Sequence, residues 1–562
     1  MKIPWQGPRD GRLWTFQHEP PPERIRHVPG VRLVGRRYKI PKNICGLQGL
    51  GYPMPANRSD DFYRRMLDRR GWDFPWPLLT HQFRFFRAIE GRIAYNLWSP
   101  TGSGKKIMGS ALICLAQRPN TVVVTRAADI PGWLDAIRKY TGLEAVAMRG
   151  LTPSKAQDVL AALPGLRAGR VVGVTGWETL HPGVRGEFFA GWAGWIHKML
   201  PGATLILDES HYAKNPKRWI RTVLEDGEVE YTPKENRSAA TMLLSRGASF
   251  RLLMSASPVA NKLHDLWAQL DLGEPGCYGS QHDFGMRYCG AEHNGYGWEY
   301  KGRSNAGELK RRLKWSAVSI KRSEYADQLP EVRYETIRIP REDQDLPDSV
   351  PRELRAAMRG NDDVRLAEAL VMEAAIRKTT VTIRKVRRAV DSGQKVVVFT
   401  GRRREVKRIA AAVRAKRPQV AVWAVDGGDT VEQRHEIRKE YMAHPGPCVL
   451  VATGHSMGES VDIQDTDLAV LAMLPWTPVH LIQWIGRFSR LGGTRKCLVS
   501  FMVAVGTYDD EMRVSLLDKL EDVQASIEDA DATTYADALA EKLNQAKAMS
   551  RLKDWLGKMR TA

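Results

Sequence analysis

Short apolar runs recur along the chain, each ending abruptly in small or polar residues. They include the run ending at Trp98, TVVVT at 121–125, VVGVT at 171–175, ATLIL at 203–207 and RLLMS at 251–255. Helical patterns separate them, as in the segment carrying Ile107, Ala111, Leu112 and Leu115. Continuous Val/Leu/Ile runs alternating with helices predict a parallel sheet covered on both faces. Such sheets bind ligands beyond the carboxyl ends of their strands, so the residues that follow the runs are informative. They are Thr125-Arg126, Thr175-Gly176-Trp177-Glu178, Asp208-Glu209-Ser210-His211 and Ser255-Ala256-Ser257. After a helical stretch at 351–391 a second alternating unit begins, with KVVVFTGRRREV, VWAVDGGDT, PCVLVATG and LAVLAML.

The expected fold is therefore α/β, with two parallel-sheet lobes, a small β-rich N-terminal segment and C-terminal helices. The boundaries read from the sequence are 1–70, 71–335, 336–512 and 513–562. Within the first segment, Arg24 to Pro41 alternates apolar with basic residues, which predicts a hairpin with one basic face. That face could be simply solvated or could touch nucleic acid. From Phe74 a helix is predicted with Gln82 at its start and Phe83, Phe86 and Ile89 on one side.

Charge narrows the choice of partner. The 562 residues carry a formal charge of +21, which makes a polyanion the natural ligand. The basic residues are dispersed among acids, so a binding surface has to be assembled by folding. No apolar stretch approaches a membrane span and no signal-peptide core opens the chain. The expectation is an intracellular protein without a membrane partner, cytoplasmic alongside DNA if its source is a bacterium or phage, and monomeric. The six cysteines form no Cys-x-x-Cys pair; Cys277, His282, Cys289 and His293 alternate, but at spacings unlike the tight zinc patterns.

Candidate chemistry sits first at SPTGSGKK, 99–106, between a strand and a helix. A phosphate loop needs small residues so that backbone amides can wrap a phosphate, a lysine for the outer phosphates, and a Ser or Thr hydroxyl for Mg²⁺. Thr101, Gly102, Ser103, Gly104 and Lys105 suit the first two requirements, whereas Lys106 stands where the hydroxyl belongs. The second site is LILDESH. An apolar strand delivering two adjacent acids allows Asp208 to hold the hydration shell of Mg²⁺ while Glu209 positions an attacking water.

Taken in order, Gln82, PTGSGK, LILDESH and SAS resemble the first RecA-like lobe of helicase superfamily two. FGMRYCGAEHNGYGWEYKGRSNAGELKRRLK followed by IKRSEYADQLPEV resembles the Swi/Snf-type DNA translocases, closest to the annealing-helicase (HARP-domain) branch, and QWIGRFSRLGG is similar to that family's Q-x-x-G-R-x-x-R. Spacing of three would stack Arg487 and Arg490 on one helix face.

The resemblance implies two RecA-like lobes, ATP and Mg as cofactors, and a double-stranded or branched DNA partner. It assigns adenine to Gln82, phosphates to the loop, catalysis to Asp208, Glu209, Gln483, Arg487 and Arg490, and coupling to His211, Ser255 and Ser257. DNA-facing positions by the same analogy are Thr125, Arg126, Trp177, Thr400, Gly401, Arg402 and Thr453. Phosphate contacts carry no sequence information, so binding should tolerate sequence and depend strongly on salt. The implied activity is a DNA-stimulated ATPase that translocates on duplex DNA and remodels or reanneals it. Lys106 opens an alternative, a nucleic-acid-binding relative with weak or lost hydrolysis; an RNA helicase is a third reading.

Overall fold

The computed structural model describes most residues from 58 to 510, together with the backbone of five strands whose side chains it leaves aside. Outside the description are 1–12, 17–31, 35–36, 42–57, 91, 101, 151–155, 181–190, 214–217, 224–228, 235–236, 257, 259–262, 296, 301, 303, 346–368, 371–372, 458–462, 475–480, 482–483, 492 and 511–562. Three expected site residues, Thr101, Ser257 and Gln483, fall there, as do the expected C-terminal helices. Among the described residues no helix is long and apolar enough to cross a membrane.

Near the N-terminus β1 (Leu13–Phe16), β2 (Arg32–Val34) and β3 (Arg37–Pro41) form an antiparallel sheet in the order β1-β3-β2. Its β2–β3 hairpin lies within the stretch where alternation predicts one. The chain divides into two compact units, with the main boundary between Glu324 and Tyr325.

The first unit is built on β4 (Ala94–Trp98), β5 (Thr121–Thr125), β6 (Glu144–Met148), β7 (Val171–Gly176) and β8 (Thr204–Asp208). An antiparallel hairpin, β9 (Arg218–Val223) and β10 (Val229–Lys234), precedes β11 (Phe250–Ser255). A second small hairpin, β12 (Ala291–His293) and β13 (Trp298–Tyr300), precedes β14 (Ala317–Ser319). Seven strands pair in the order β14-β4-β11-β8-β5-β7-β6, all parallel. Val122, Val124, Leu205 and Leu207 enter one core, while the alternate residues Val123 and Ile206 are equally buried on the opposite face. Burial on both faces explains why these strands read as unbroken apolar runs.

The second unit repeats the scheme. β15 (Val332–Ile339), β16 (Lys395–Thr400), β17 (Ala421–Val425), β18 (Cys448–Thr453), β19 (Leu468–Leu471) and β20 (Cys497–Ala504) pair in parallel as β15-β20-β19-β16-β18-β17. Val397, Phe399, Leu450 and Leu471 pack on one face; Val396, Val398, Val449 and Val470 pack on the other. From Tyr334 to Ile339 the edge strand β15 alternates exposed and covered residues, a period-two pattern that the central strands lack. Inside this unit Lys378 donates to Asp509 at 2.6 Å and to the Met502 carbonyl at 2.9 Å, both charged side chains being fully buried.

Candidate nucleotide site

Because the first sheet is wholly parallel, its strands release their loops on one edge. The loop after β4 turns through Gly102 at φ 86° and Gly104 at φ 84°, left-handed values that only glycine adopts without strain. It then enters the helix Lys105–Ala116, whose first amides are unused by the helix itself. The Lys105 ammonium folds back to the carbonyls of Ser99 and Pro100 at 2.7 and 3.1 Å. Gln82 is buried, and its side-chain carbonyl accepts the Leu79 amide at 2.9 Å, closing the first turn of the helix Thr80–Ile89.

At the end of β8, Asp208 is bonded from several sides. Its Oδ2 accepts from the Thr125 hydroxyl at 3.1 Å and the Trp133 indole at 2.9 Å, and its Oδ1 accepts the Glu209 amide at 3.1 Å. Its backbone carbonyl accepts the Trp177 indole at 2.7 Å. Thr125, Trp133 and Trp177 are all fully buried. The family resemblance implies a DNA-facing role for Thr125 and Trp177; here both are buried and donate to Asp208. Trp133 carries no motif signal, yet its ring reaches Asp208 because Gly109 leaves space, a Cβ there standing 2.7 Å from the indole.

Glu209 adopts φ 52°, an uncommon conformation for a side-chain-bearing residue. His211 Nδ1 lies 3.4 Å from Glu209 Oε2 and 3.0 Å from the Ser255 hydroxyl, so the imidazole links the acid to the end of β11. Burial and the charge of Glu209 push the Asp208 carboxyl up, against the Trp133 bond and the ammonium groups of Lys106 and Lys105. Burial alone would raise Glu209 as well, but His211, Lys105 and Arg126 outweigh it and hold this carboxyl well below the ordinary range. The two acids are thus driven apart, with Glu209 the firmly ionised member.

In the second unit Thr400 and Thr453 end β16 and β18 and are buried, while Gly401 and Arg402 are partly exposed. Thr453 and Ser456 share a hydrogen bond of 2.5 Å. The fully buried Trp484 lies on Gly454, where a Cβ would meet its ring at 2.2 Å, and stacks edge-on to Phe399 at 5.4 Å. The arginine pair does not ride on a regular helix. Arg487 and Phe488 donate their amides three residues back, to Trp484 and Ile485, making a tightened turn. Gly486 weakens helical continuation here, and Arg490 Nε donates to its carbonyl at 3.1 Å in place of a backbone amide. Arg487 is 8% exposed.

Comparison with known proteins accords with this architecture. The sequence model of the SNF2-related domain matches residues 31–343, more than half of the chain, and that of the helicase conserved C-terminal domain matches 378–492. The chain belongs to the SNF2-related family. It is 28% identical over 335 residues to the SWI/SNF-related matrix-associated actin-dependent regulator of chromatin subfamily A-like protein 1 of Xenopus tropicalis, covering 56% of this chain and 32% of that protein. It is 24% identical over 327 residues to the DNA annealing helicase and endonuclease ZRANB3 of Mus musculus, covering 55% and 28%. The SNF2-related chain thus spans about a third of the length of these curated relatives. A solved Sulfolobus solfataricus SWI2/SNF2 ATPase core in complex with dsDNA aligns over 84% of this chain and 98% of its own at 17% identity, with a TM-score of 0.37.

The donor groups of this SNF2-related site suit a polyphosphate. Two left-handed glycines, the start of a helix and two lysines present amides and positive charge together. They suit a divalent cation less well, since the position that would bring a hydroxyl brings the Lys106 ammonium. Two of the four alternating Cys and His residues are otherwise engaged: burial in an apolar core pushes the Cys289 thiol up to about 12, and His282 Nδ1 meets the Tyr300 hydroxyl at 2.6 Å.

Proposed function

We propose that the chain is a DNA-stimulated ATPase that translocates on double-stranded DNA and remodels or reanneals it. The observation that carries this reading is the phosphate loop after β4 and the Asp208-Glu209 pair after β8, on one edge of one parallel sheet in an SNF2-related chain. The named relatives include a DNA annealing helicase, which favours duplex DNA as the track.

In this reading the loop amides and Lys105 bind the phosphates, with Lys105 exchanging the Ser99 and Pro100 carbonyls for phosphate oxygens. Gln82 borders the base through its amide end. ATP supplies the phosphoryl group whose transfer to water drives movement. Glu209, ionised and held by His211, orients that water and accepts its proton. Arg487 and Arg490 offset the charge that develops on the phosphoryl oxygens, the arginine-finger role. Arg126, Gly401 and Arg402 meet DNA phosphates. Thr125 and Trp177 act behind them, tying that edge to Asp208.

The test is hydrolysis of ATP with and without duplex DNA. Duplex should raise the rate, and Glu209→Gln should lower it by roughly 10²–10⁴-fold, the usual weight of a general base, while ATP still binds. Lys106 favours a second reading, a binding protein with little turnover. If duplex does not stimulate, Lys106→Thr is no faster and Glu209→Gln is no slower, that second reading replaces the first. Stimulation by RNA and not by duplex DNA would assign the chain to RNA instead.

A further inference from the structure

Lys106 is the one residue of the phosphate loop that the proposed function leaves as a defect. Its surroundings suggest a use. It opens the helix Lys105–Ala116, and its side chain extends toward the first turn of the helix Ile130–Thr141. There it meets Gly132, where a Cβ would stand 2.7 Å from the Lys106 Nζ. Gly132 is not among the residues with left-handed φ, so the backbone does not demand glycine at this position. In a helix glycine costs roughly 1 kcal/mol relative to alanine. The missing side chain lets the ammonium lie directly against the Gly132 backbone, where a Cβ would make it move aside.

The next residue, Trp133, donates its indole to Asp208 Oδ2, and its ring rests against Gly109, one turn along from Lys106 on the same helix. Two glycines therefore let the two helices interlock: Gly109 admits Trp133 and Gly132 admits Lys106. The result leaves the Lys106 ammonium near enough to Asp208 to act on its charge. Of the two loop ammonium groups, that of Lys106 acts more strongly on Asp208. A hydroxyl here would be neutral and would need a divalent cation to place positive charge between Asp208 and a polyphosphate.

We propose that the Lys106 ammonium, seated in the slot left by Gly132 beside Trp133 and Asp208, is a built-in cation that lets the phosphate loop bind a nucleoside triphosphate without a divalent metal. The proposal rests on the nucleotide-binding reading above and assigns the charge that neutralises the ligand to the chain itself. It concerns binding; hydrolysis is a separate question.

The experiment is equilibrium binding of a fluorescent ATP analogue to the full chain in Mg²⁺ and in EDTA, for the parent protein and for Lys106→Thr, with unfolding curves to show that both are folded. The parent should bind within about threefold in the two buffers. Lys106→Thr should lose about tenfold or more on going from Mg²⁺ to EDTA, the size of one hydrogen bond to a charged group. Loss of parent binding in EDTA overturns the proposal without any variant, and so does a variant that binds equally well in EDTA. Failure of the parent to bind in either buffer would overturn the nucleotide reading itself, a different result from metal-dependent binding.

Discussion

Trp177 separates two accounts of the same residue. Its place just after a strand, by analogy, suggests a DNA contact; in the fold the indole lies inside the first unit, donating to the Asp208 carbonyl at 2.7 Å with no exposed surface. Trp177→Phe keeps an aromatic ring in the core and removes the donor. Leaving that buried carbonyl without its partner should cost about 1–3 kcal/mol of stability, measurable by urea unfolding. If a comparable fraction, about 1.4 kcal/mol, is expressed in the transition state through a displaced Asp208-Glu209 turn, kcat falls about tenfold. The assay is ATP hydrolysis at saturating duplex, paired with duplex binding by fluorescence anisotropy across a salt series. The expected outcome is reduced kcat with duplex affinity within about twofold of the parent, since a fully buried ring cannot reach a phosphate. Weakened duplex binding with kcat unchanged at saturating DNA would refute the reasoning and return Trp177 to the DNA surface.

Arg402→Gln should weaken duplex binding uniformly across sequences and reduce the salt slope by about 1, read from the same anisotropy series. Arg487→Gln should lower kcat by about 10³ or more, the weight of an arginine finger, with far less effect on ATP affinity; steady-state kinetics against nucleotide binding decides it. Burial holds the Glu274 carboxyl up at about 7, against Arg92, Cys277 and Arg251, from an ordinary 4.5. The folded state keeps this proton where the unfolded state has lost it, so stability present below pH 4.5 declines as pH rises to 7 and then levels off, by at most about 3.4 kcal/mol. Glu274→Gln should flatten that part of the melting-temperature profile. Lys378→Met leaves Asp509 buried without its cation and should cost about 3–5 kcal/mol in urea unfolding, whereas the double change Lys378→Met with Asp509→Leu should recover more than half of the loss.

Much of the fold is legible because the central strands are buried on both faces and therefore spell out Val, Leu and Ile without interruption. The edge strands are harder. β15 carries exposed positions between covered ones, and β6 opens on the exposed Glu144 and is only partly covered beyond it, so neither stands out as a long apolar run. β14 is three residues long, and only its pairing with β4 marks it as a strand. The phosphate loop is legible in its glycines, since a left-handed turn leaves few alternatives. The direction in which a side chain leaves the carboxyl edge of a sheet is not. Thr125 ends β5 and Trp177 follows β7, and their hydroxyl and indole donate to Asp208 from inside, whereas Arg126, one residue past β5, is only partly covered. Spacing likewise places Arg487 and Arg490 on a helix, because spacing does not reveal that Gly486 yields its carbonyl to a side chain.

Lys106 shows the same limit in its strongest form. Read as one letter of a motif it is a loss, because an ammonium cannot ligate a cation. Read with Gly132 and Trp133 it is half of an arrangement in which the helix opposite gives up a side chain to admit a charge. Neither Gly132 nor Gly109 has a conformational reason to be glycine, and each faces a long side chain from the other helix at a distance no Cβ would tolerate. The paired vacancy argues that the substitution and its surroundings fit one another, and that the charge of this phosphate loop should be counted with its lysine included.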